Sequence, residues 1–377
     1  MGNFLRNFNF DQLSFWMGFL AGSLFWLLAR MIAPALKRMQ SALQAQARTG
    51  RGERMRASEI RLSNDMLRQA QGWHVASLLF ALDEIIVTPR LLAPPVPPEA
   101  EGGAADVDIT DWAIPYMPDW PEMGSRYGAP TLSLAEALRN NANIAVIGEP
   151  GTGKSVTLAH LAVQIIRHEI NAVEFEETIP LLIHASDLVF SDDTASTENT
   201  DLFTPLRNAL VLRCEAKTNS ALPKLLPNLF ERNAALLLLD GLDEMPPGMV
   251  DVVVGYLAKL METYPGVRVV AAASSQYLGG LMQLDFFPLA VASWNEEQRR
   301  NFLHSWNGVW DRYIATPGTA NVESASSLML SGWLLNNTGN LTPLEGTLKV
   351  WAAYAGDALG PQPRESIEAH NRRLTAS

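Results

Sequence analysis

Two stretches of the chain hold residue types that could do chemistry together. Residues 148–155 read GEPGTGKS, and residues 236–244 read LLLLDGLDE. The first fits the pattern G-x-x-x-x-G-K-[ST] at every required position, the pattern of a loop that cradles phosphates. Gly148, Gly151 and Gly153 allow backbone N–H groups to turn inward around phosphate oxygens. The helix opening at Lys154 aims the positive end of its dipole at the same oxygens. Lys154 is expected to reach the β- and γ-phosphates, and the Ser155 hydroxyl to ligate Mg²⁺. The nucleotide-binding set is therefore Gly148, Glu149, Pro150, Gly151, Thr152, Gly153, Lys154, Ser155 and Val156.

The second stretch supplies the acid that such a metal needs. Leu236–Leu239 reads as a buried strand, and Asp240 stands at its C-terminal end, the edge at which open α/β sheets bind ligands. Ser155 and Asp240 form the expected metal set. Asp243 and Glu244 follow within one turn and are the candidates for handling water. Glu244 is the first choice, with Asp243 as its alternative or as a metal-side or structural partner. Lys154, Asp243 and Glu244 are the expected catalytic residues.

The elements that must position these groups are legible around them. An apolar strand, NIAVI, precedes the glycine loop, and an amphipathic helix follows it. GEPGTGKS together with LLLLDGLDE resembles the NACHT group of the STAND class of P-loop NTPases. The mark of that group is a small residue directly after the magnesium Asp and an acidic pair shortly after, here Gly241 and Asp243–Glu244. Gly241 would keep side-chain bulk away from the phosphates.

The resemblance covers about residues 130–350. TIPLLIHASDL (178–188) is similar to the group's second core strand, VRVVAAASS (267–275) to its sensor strand, and FFPLAVASWNEEQRRNFL (286–303) to its last strand and the helix after it. The implied fold is α/β: a P-loop NTPase with a parallel five-stranded core sheet flanked by helices. A small helical domain would follow, and in it Pro343, beside Leu344, would pack near the nucleotide base. The expected boundaries are 106–295 for the NTPase domain, 296–360 for the helical domain and 361–377 for a tail.

One departure stands out. Members of the group often end the sensor strand in Thr-Ser-Arg, whereas this chain has ASSQ at 273–276. Ser274, Ser275 and Gln276 offer hydrogen bonds but no positive charge. An arginine on the transferring phosphoryl group is worth about 10³–10⁵ in rate, so the expected hydrolysis is slow or takes an arginine from a partner. An AAA+ motor, a further reading, would call for clear arginine fingers. The expected cofactors are ATP and Mg²⁺. No Asn-Lys-x-Asp motif is present to select guanine, which favours ATP and leaves GTP open.

The N-terminus adds a second theme. Leu13–Ala29 is an uncharged run of 17 residues, with Trp16 and Trp26 near its ends. That length lies at the short end of what crosses a bilayer, roughly 17–25 residues. A transmembrane helix is expected at about 13–33 within an N-terminal segment of residues 1–36. Arg30, Lys37, Arg38, Arg48, Arg51, Arg54 and Arg56 follow it, against Arg6 and Asp11 before it. The positive-inside bias makes the chain single-pass, with its NTPase domain on the cytoplasmic side.

Ser14, Gly18 and Gly22 recur every four residues, a spacing through which two such helices could associate. Residues 37–90 read as a helical stalk or a packing helix, with Leu62, Met66, Leu67, Trp73, Leu78 and Leu82 on one apolar face. The Pro- and Gly-rich stretch at 91–105 reads as a linker.

Composition narrows the partners. The net charge is -11, which argues against a general nucleic-acid binder. The single Cys214 excludes a cysteine-based zinc site and an internal disulfide framework. The six histidines are scattered, and the acidic stretch at 191–201 reads as a surface loop. STAND proteins are generally switches that couple an effector to a sensor. No repeat with a period of 20–50 residues follows residue 350 to serve as that sensor, so the expectation is a minimal form, a fragment, or a sensor supplied by an unknown protein partner. The sequence thus implies a membrane-anchored nucleotide switch that binds Mg-ATP in signalling or defence. Its rival is an ATP-bound scaffold or interaction protein without turnover.

Overall fold

The computed structural model describes residues 17, 52–94, 129–140, 142–170, 172–190, 201–314 and 341–355. The expected transmembrane span, apart from Met17, lies outside the described residues, as do Ser14, Gly18 and Gly22. So do residues 95–105 of the linker, the acidic stretch at 191–200 and the tail. Among the described residues, no helix is long and apolar enough to cross a membrane. The chain divides into two units, residues 1–58 and 59–377. In the first, residues 52–58 are helical, and the Ser58 hydroxyl donates to the Arg54 carbonyl at 2.9 Å.

The second unit is built on one sheet. Its strands are β1 (Leu91–Leu92), β2 (Thr131–Leu132), β3 (Asn143–Ile147), β4 (Ile179–His184), β5 (Ala235–Asp240), β6 (Arg268–Ala273) and β7 (Phe286–Val291). They lie in the order β2-β1-β7-β3-β6-β5-β4. The five strands from β7 to β4 run parallel, as expected. The sheet as a whole is nevertheless mixed and seven-stranded, because β1 pairs antiparallel with both β7 and β2. Strands of two residues are too short to leave a periodic signal, and Leu91 and Leu92 had the composition of a linker's start.

The central strands follow from their sequence. β5 reads ALLLLD and β6 reads RVVAAA, and every residue of both is buried. A parallel strand covered on both faces needs such a continuous apolar run. One sheet face packs on the helix Lys154–Ile166 through Leu158, Leu161, Ala162 and Ile165, set against Ile144, Val146, Leu236, Leu238 and Val270.

Residues 59–92 belong to this same body. The helix over 59–71 is tied down by Asp65, which accepts from the Thr218 hydroxyl at 2.6 Å and the Glu215 N–H at 3.2 Å. Gln69 donates to the Leu182 carbonyl at 3.0 Å. The segment thus packs on the body that carries the sheet. Leu62, Met66 and Leu82 of the expected apolar face are buried, and Leu67 and Trp73 pack partly against the core. Leu78 is 90% exposed. The helix ends at 71, so helical spacing does not extend to residue 78.

A second cluster joins Ala76, Phe80, Ile85 and Val87 to the helices Glu296–Tyr313 and Pro343–Tyr354. Phe80 meets Trp306 edge-on at 5.2 Å. Apolar burial therefore connects the segment before the core to the helices behind it.

Candidate nucleotide site

β3 lies between β6 and β7, and its C-terminal end delivers the chain into the glycine loop. Gly151 has φ +83°, a left-handed conformation suited to glycine. A Cβ there would stand 3.1 Å from the Leu344 Cβ and 3.2 Å from the Thr342 hydroxyl. The loop is thus closely covered from outside. The Leu344 N–H donates to the Gly151 carbonyl at 3.1 Å, and Thr342 caps its own helix by accepting from the Glu345 N–H at 3.2 Å. This contact places Pro343 and Leu344 beside the loop.

Lys154 is nearly buried. Its ammonium donates to the Gly148 carbonyl at 2.7 Å and the Glu149 carbonyl at 3.3 Å, and lies 3.1 Å from Asp243 Oδ2. Asp240 ends β5, is 3% exposed, and stands in register with His184 at the end of β4. That imidazole fills the space beside Gly241. Gly241 has φ +71°, and a Cβ on it would lie 2.1 Å from His184 Nε2. The small residue after Asp240 therefore makes room for His184. His184 Nδ1 is 2.7 Å from the Ser186 hydroxyl, and its Nε2 is 3.4 Å from Glu244 Oε2.

These groups surround one cavity of about 740 Å³, within the range of small-molecule and cofactor sites. Pro150–Thr157, Asp240, Asp243, Glu244 and Pro343 line it. Gly148 and Glu149 do not, but their carbonyls hold Lys154. Ser274, Ser275 and Gln276 are not among the lining residues. Gly72–Val75, Ile85–Val87, Trp294 and Phe302 line the cavity too, a largely apolar set suited to a base.

Among the lining residues outside the motifs, three stand out. Trp73 Nε1 donates to Asp240 Oδ2 at 2.7 Å. The Arg213 guanidinium stacks over the Trp73 ring at 5.2 Å and pairs with Asp187 at 2.8 Å. His184 is the third. Only His184 had a readable signal, since counting to the end of the strand beside β5 puts it level with Asp240. Next to Arg213, burial pushes the Cys214 thiol up to about 12, so it stays protonated and unreactive.

The donor set suits magnesium. Ser155 and Asp240 both line the cavity and carry oxygen ligands. Among the described residues, no group of three or more His, Cys, Asp or Glu side chains could hold a metal ion. Mg²⁺ is commonly held by one or two protein oxygens, with phosphates and water completing its shell.

Residues 138–273 match the family model of an AAA domain. No curated protein matches the chain. Among solved structures it is similar to Aeropyrum pernix ORC1 in complex with DNA, at 14% identity over 69% of this chain and 67% of that one, with a TM-score of 0.31. It is also similar to Caenorhabditis elegans PCH-2, at 12% identity over 72% and 68% with a TM-score of 0.35. A third is Drosophila ORC bound to DNA, at 15% identity over 64% and 56% with a TM-score of 0.32. The family match supports an AAA-like P-loop domain over residues 138–273, and the site geometry is consistent with nucleotide binding there.

Proposed function

We propose that this protein is a membrane-tethered P-loop ATPase that acts as a nucleotide-dependent switch of the NACHT kind. One observation carries the reading. The lining of a single cavity includes residues from three parts of the chain: the glycine loop with Asp240, the segment 72–87, and the helix that begins at Pro343. A nucleotide that fills it contacts all three, so its binding and loss bias how they pack.

The residues take distinct roles. Lys154 leaves Asp243 to meet the β- and γ-phosphates. Ser155 and Asp240 would hold Mg²⁺, which would supply positive charge to the phosphates. Glu244, whose side chain is 70% exposed, orients water and takes its proton. Pro343 and Leu344 close over the loop beside the base. Gly241 and the acidic pair after it support the NACHT assignment within the wider AAA-like class. The uncharged run Leu13–Ala29 and the arginines after it support the anchor, with the ATPase domain in the cytoplasm.

A scaffold that binds ATP without turnover is the second reading. It is favoured by the lack of a positive charge at Ser274–Gln276. The full-length chain in lipid nanodiscs separates the two. Phosphate release is expected from the wild type and lost in Lys154→Ala and Glu244→Gln, with ATP binding kept in Glu244→Gln. Tight ATP binding without release, with or without anionic lipid, would establish the scaffold instead. Recovery of the intact chain in the aqueous fraction without detergent would overturn the anchor.

A further inference from the structure

We infer that Arg213 is the cation that faces the terminal phosphate in this chain, held there on the indole of Trp73. The inference rests on the ATPase reading above and names a residue for the role that the sensor strand leaves open.

Among the described residues, three side chains of Lys or Arg line the cavity: Lys154, Arg90 and Arg213. Lys154 belongs to the glycine loop. Arg90 is turned to the sheet edge, where its Nε donates to the Thr131 hydroxyl at 3.0 Å and its guanidinium also meets the Thr131 carbonyl. Arg213 is the one coupled to the metal acid. Its guanidinium carbon lies 5.2 Å from the centre of the Trp73 ring, and that ring's N–H donates to Asp240 at 2.7 Å. One aromatic ring therefore separates Arg213 from the expected magnesium ligand.

The orientation of Arg213 is set rather than free. Asp187 Oδ2 accepts from Nη2 at 2.8 Å and from Nε at 3.2 Å. That leaves the Nη1 edge of the fork for another acceptor, and a guanidinium fork matches phosphate oxygens. Asp187 follows β4 by three residues, so the pair sits at the same sheet edge as His184 and Asp240. The ring stacking and the carboxylate hold the charge in place before substrate arrives, as electrostatic stabilisation of a transition state requires.

The chemistry balances without any further reactant. The water oxygen bonds to the γ-phosphorus. The bond from that phosphorus to the bridging oxygen breaks, and its electron pair stays on ADP. The water proton passes to Glu244. Arg213 transfers no proton and neutralises charge on the γ-oxygens. Arg213 is thus a catalytic residue, and Trp73 is a positioning residue that acts through Arg213 and Asp240.

The test uses the full-length chain, with phosphate release and the binding of ADP and of the non-hydrolysable β,γ-imido analogue of ATP. Arg213→Gln keeps hydrogen bonding and removes the charge. It is expected to lower kcat by about a hundredfold or more, to weaken the ATP analogue and to leave ADP binding within about twofold. Arg213→Lys should recover part of kcat, and millimolar guanidinium should partly restore Arg213→Gln, which a merely structural role would not allow. Trp73→Phe keeps a ring for stacking and loses the N–H, so it should raise the Mg²⁺ concentration needed for half-maximal rate.

If the wild type turns over and Arg213→Gln leaves kcat and the ratio of analogue to ADP affinity within twofold, the inference falls and the ATPase reading stands. If the wild type binds the analogue without turnover, the ratio alone decides for Arg213. If the wild type binds neither nucleotide, both fall. Should Arg213→Gln fail to fold, Arg213→Lys decides: a kcat equal to that of the wild type overturns a role for the fork.

Discussion

Lys154 Nζ lies 3.1 Å from Asp243 Oδ2, with both side chains largely withdrawn from solvent. The cation expected to bind phosphate is therefore already paired within the protein. A nucleotide must replace Asp243 as its partner, and the two anions compete for one ammonium.

That competition sets the first prediction. Asp243→Asn keeps the shape and removes the charge, which frees Lys154 for phosphate. An exposed ion pair is worth up to about 1 kcal/mol and this one is largely withdrawn from solvent, so the Kd for ATP and for ADP is expected to fall at least about fivefold. Lys154→Ala should abolish binding. Calorimetric titration of both variants checks this. If Asp243 handled water instead, Asp243→Asn would lower kcat without tightening binding.

Gly241→Ala tests the packing of His184 beside Asp240. The new Cβ would meet His184 Nε2 at 2.1 Å on a backbone with φ +71°. Left-handed strain of about 1–2 kcal/mol adds to overpacking of about 1–3 kcal/mol. Thermal unfolding should show a clear fall in Tm. Gly241→Ala combined with His184→Ala should recover the packing part and not the backbone part. A single variant as stable as the wild type would mean that His184 does not occupy that space.

Gly151→Ala probes the cover on the loop. Its Cβ would press on Leu344 at 3.1 Å and Thr342 at 3.2 Å. The expected result is displacement of the Pro343–Tyr354 helix, faster hydrogen exchange at the Leu344 amide and about tenfold weaker nucleotide binding. Unchanged exchange at Leu344 would dissociate the helix from the loop.

The central strands and the glycine loop were legible because their signals are local. A strand buried on both faces must be a run such as ALLLLD, and the loop's spacing is set by one phosphate group. β1 and β2 left no such trace at two residues each. Trp73 read as one member of an apolar stripe, yet its N–H serves Asp240 from 167 positions away. Arg213 meets Asp187 across 26 positions and Trp73 across the fold. Contacts of that separation have no sequence period. The small residue at Gly241 was legible as a motif, but its reason, the imidazole beside it, needed the register of β4 against β5.

The last prediction concerns pH. His160 lies on the helix that follows the glycine loop, and neither ring nitrogen has a hydrogen-bond partner among the described residues. Burial lowers its pKa below the ordinary 6.5, with Glu169 and Asp83 opposing the shift. His74 is lowered in the same way, against the backbone groups of Gln71 and Phe80. Both rings therefore take up a proton less readily in the folded protein than in the unfolded chain. As pH falls through 6.5 the unfolded chain takes up protons that the folded chain declines, so the unfolded state gains stability. The folded protein is at full stability above that pH and loses it until the lowered pKa is reached. The loss is up to about 1.4 kcal/mol per histidine for each pH unit in that window. The Tm of the wild type should fall between pH 7.5 and pH 5.5, and His160→Gln should flatten that slope whatever its own Tm at pH 7.5. An unchanged slope in the variant would show that His160 gains its proton as readily in the folded chain as in the unfolded one.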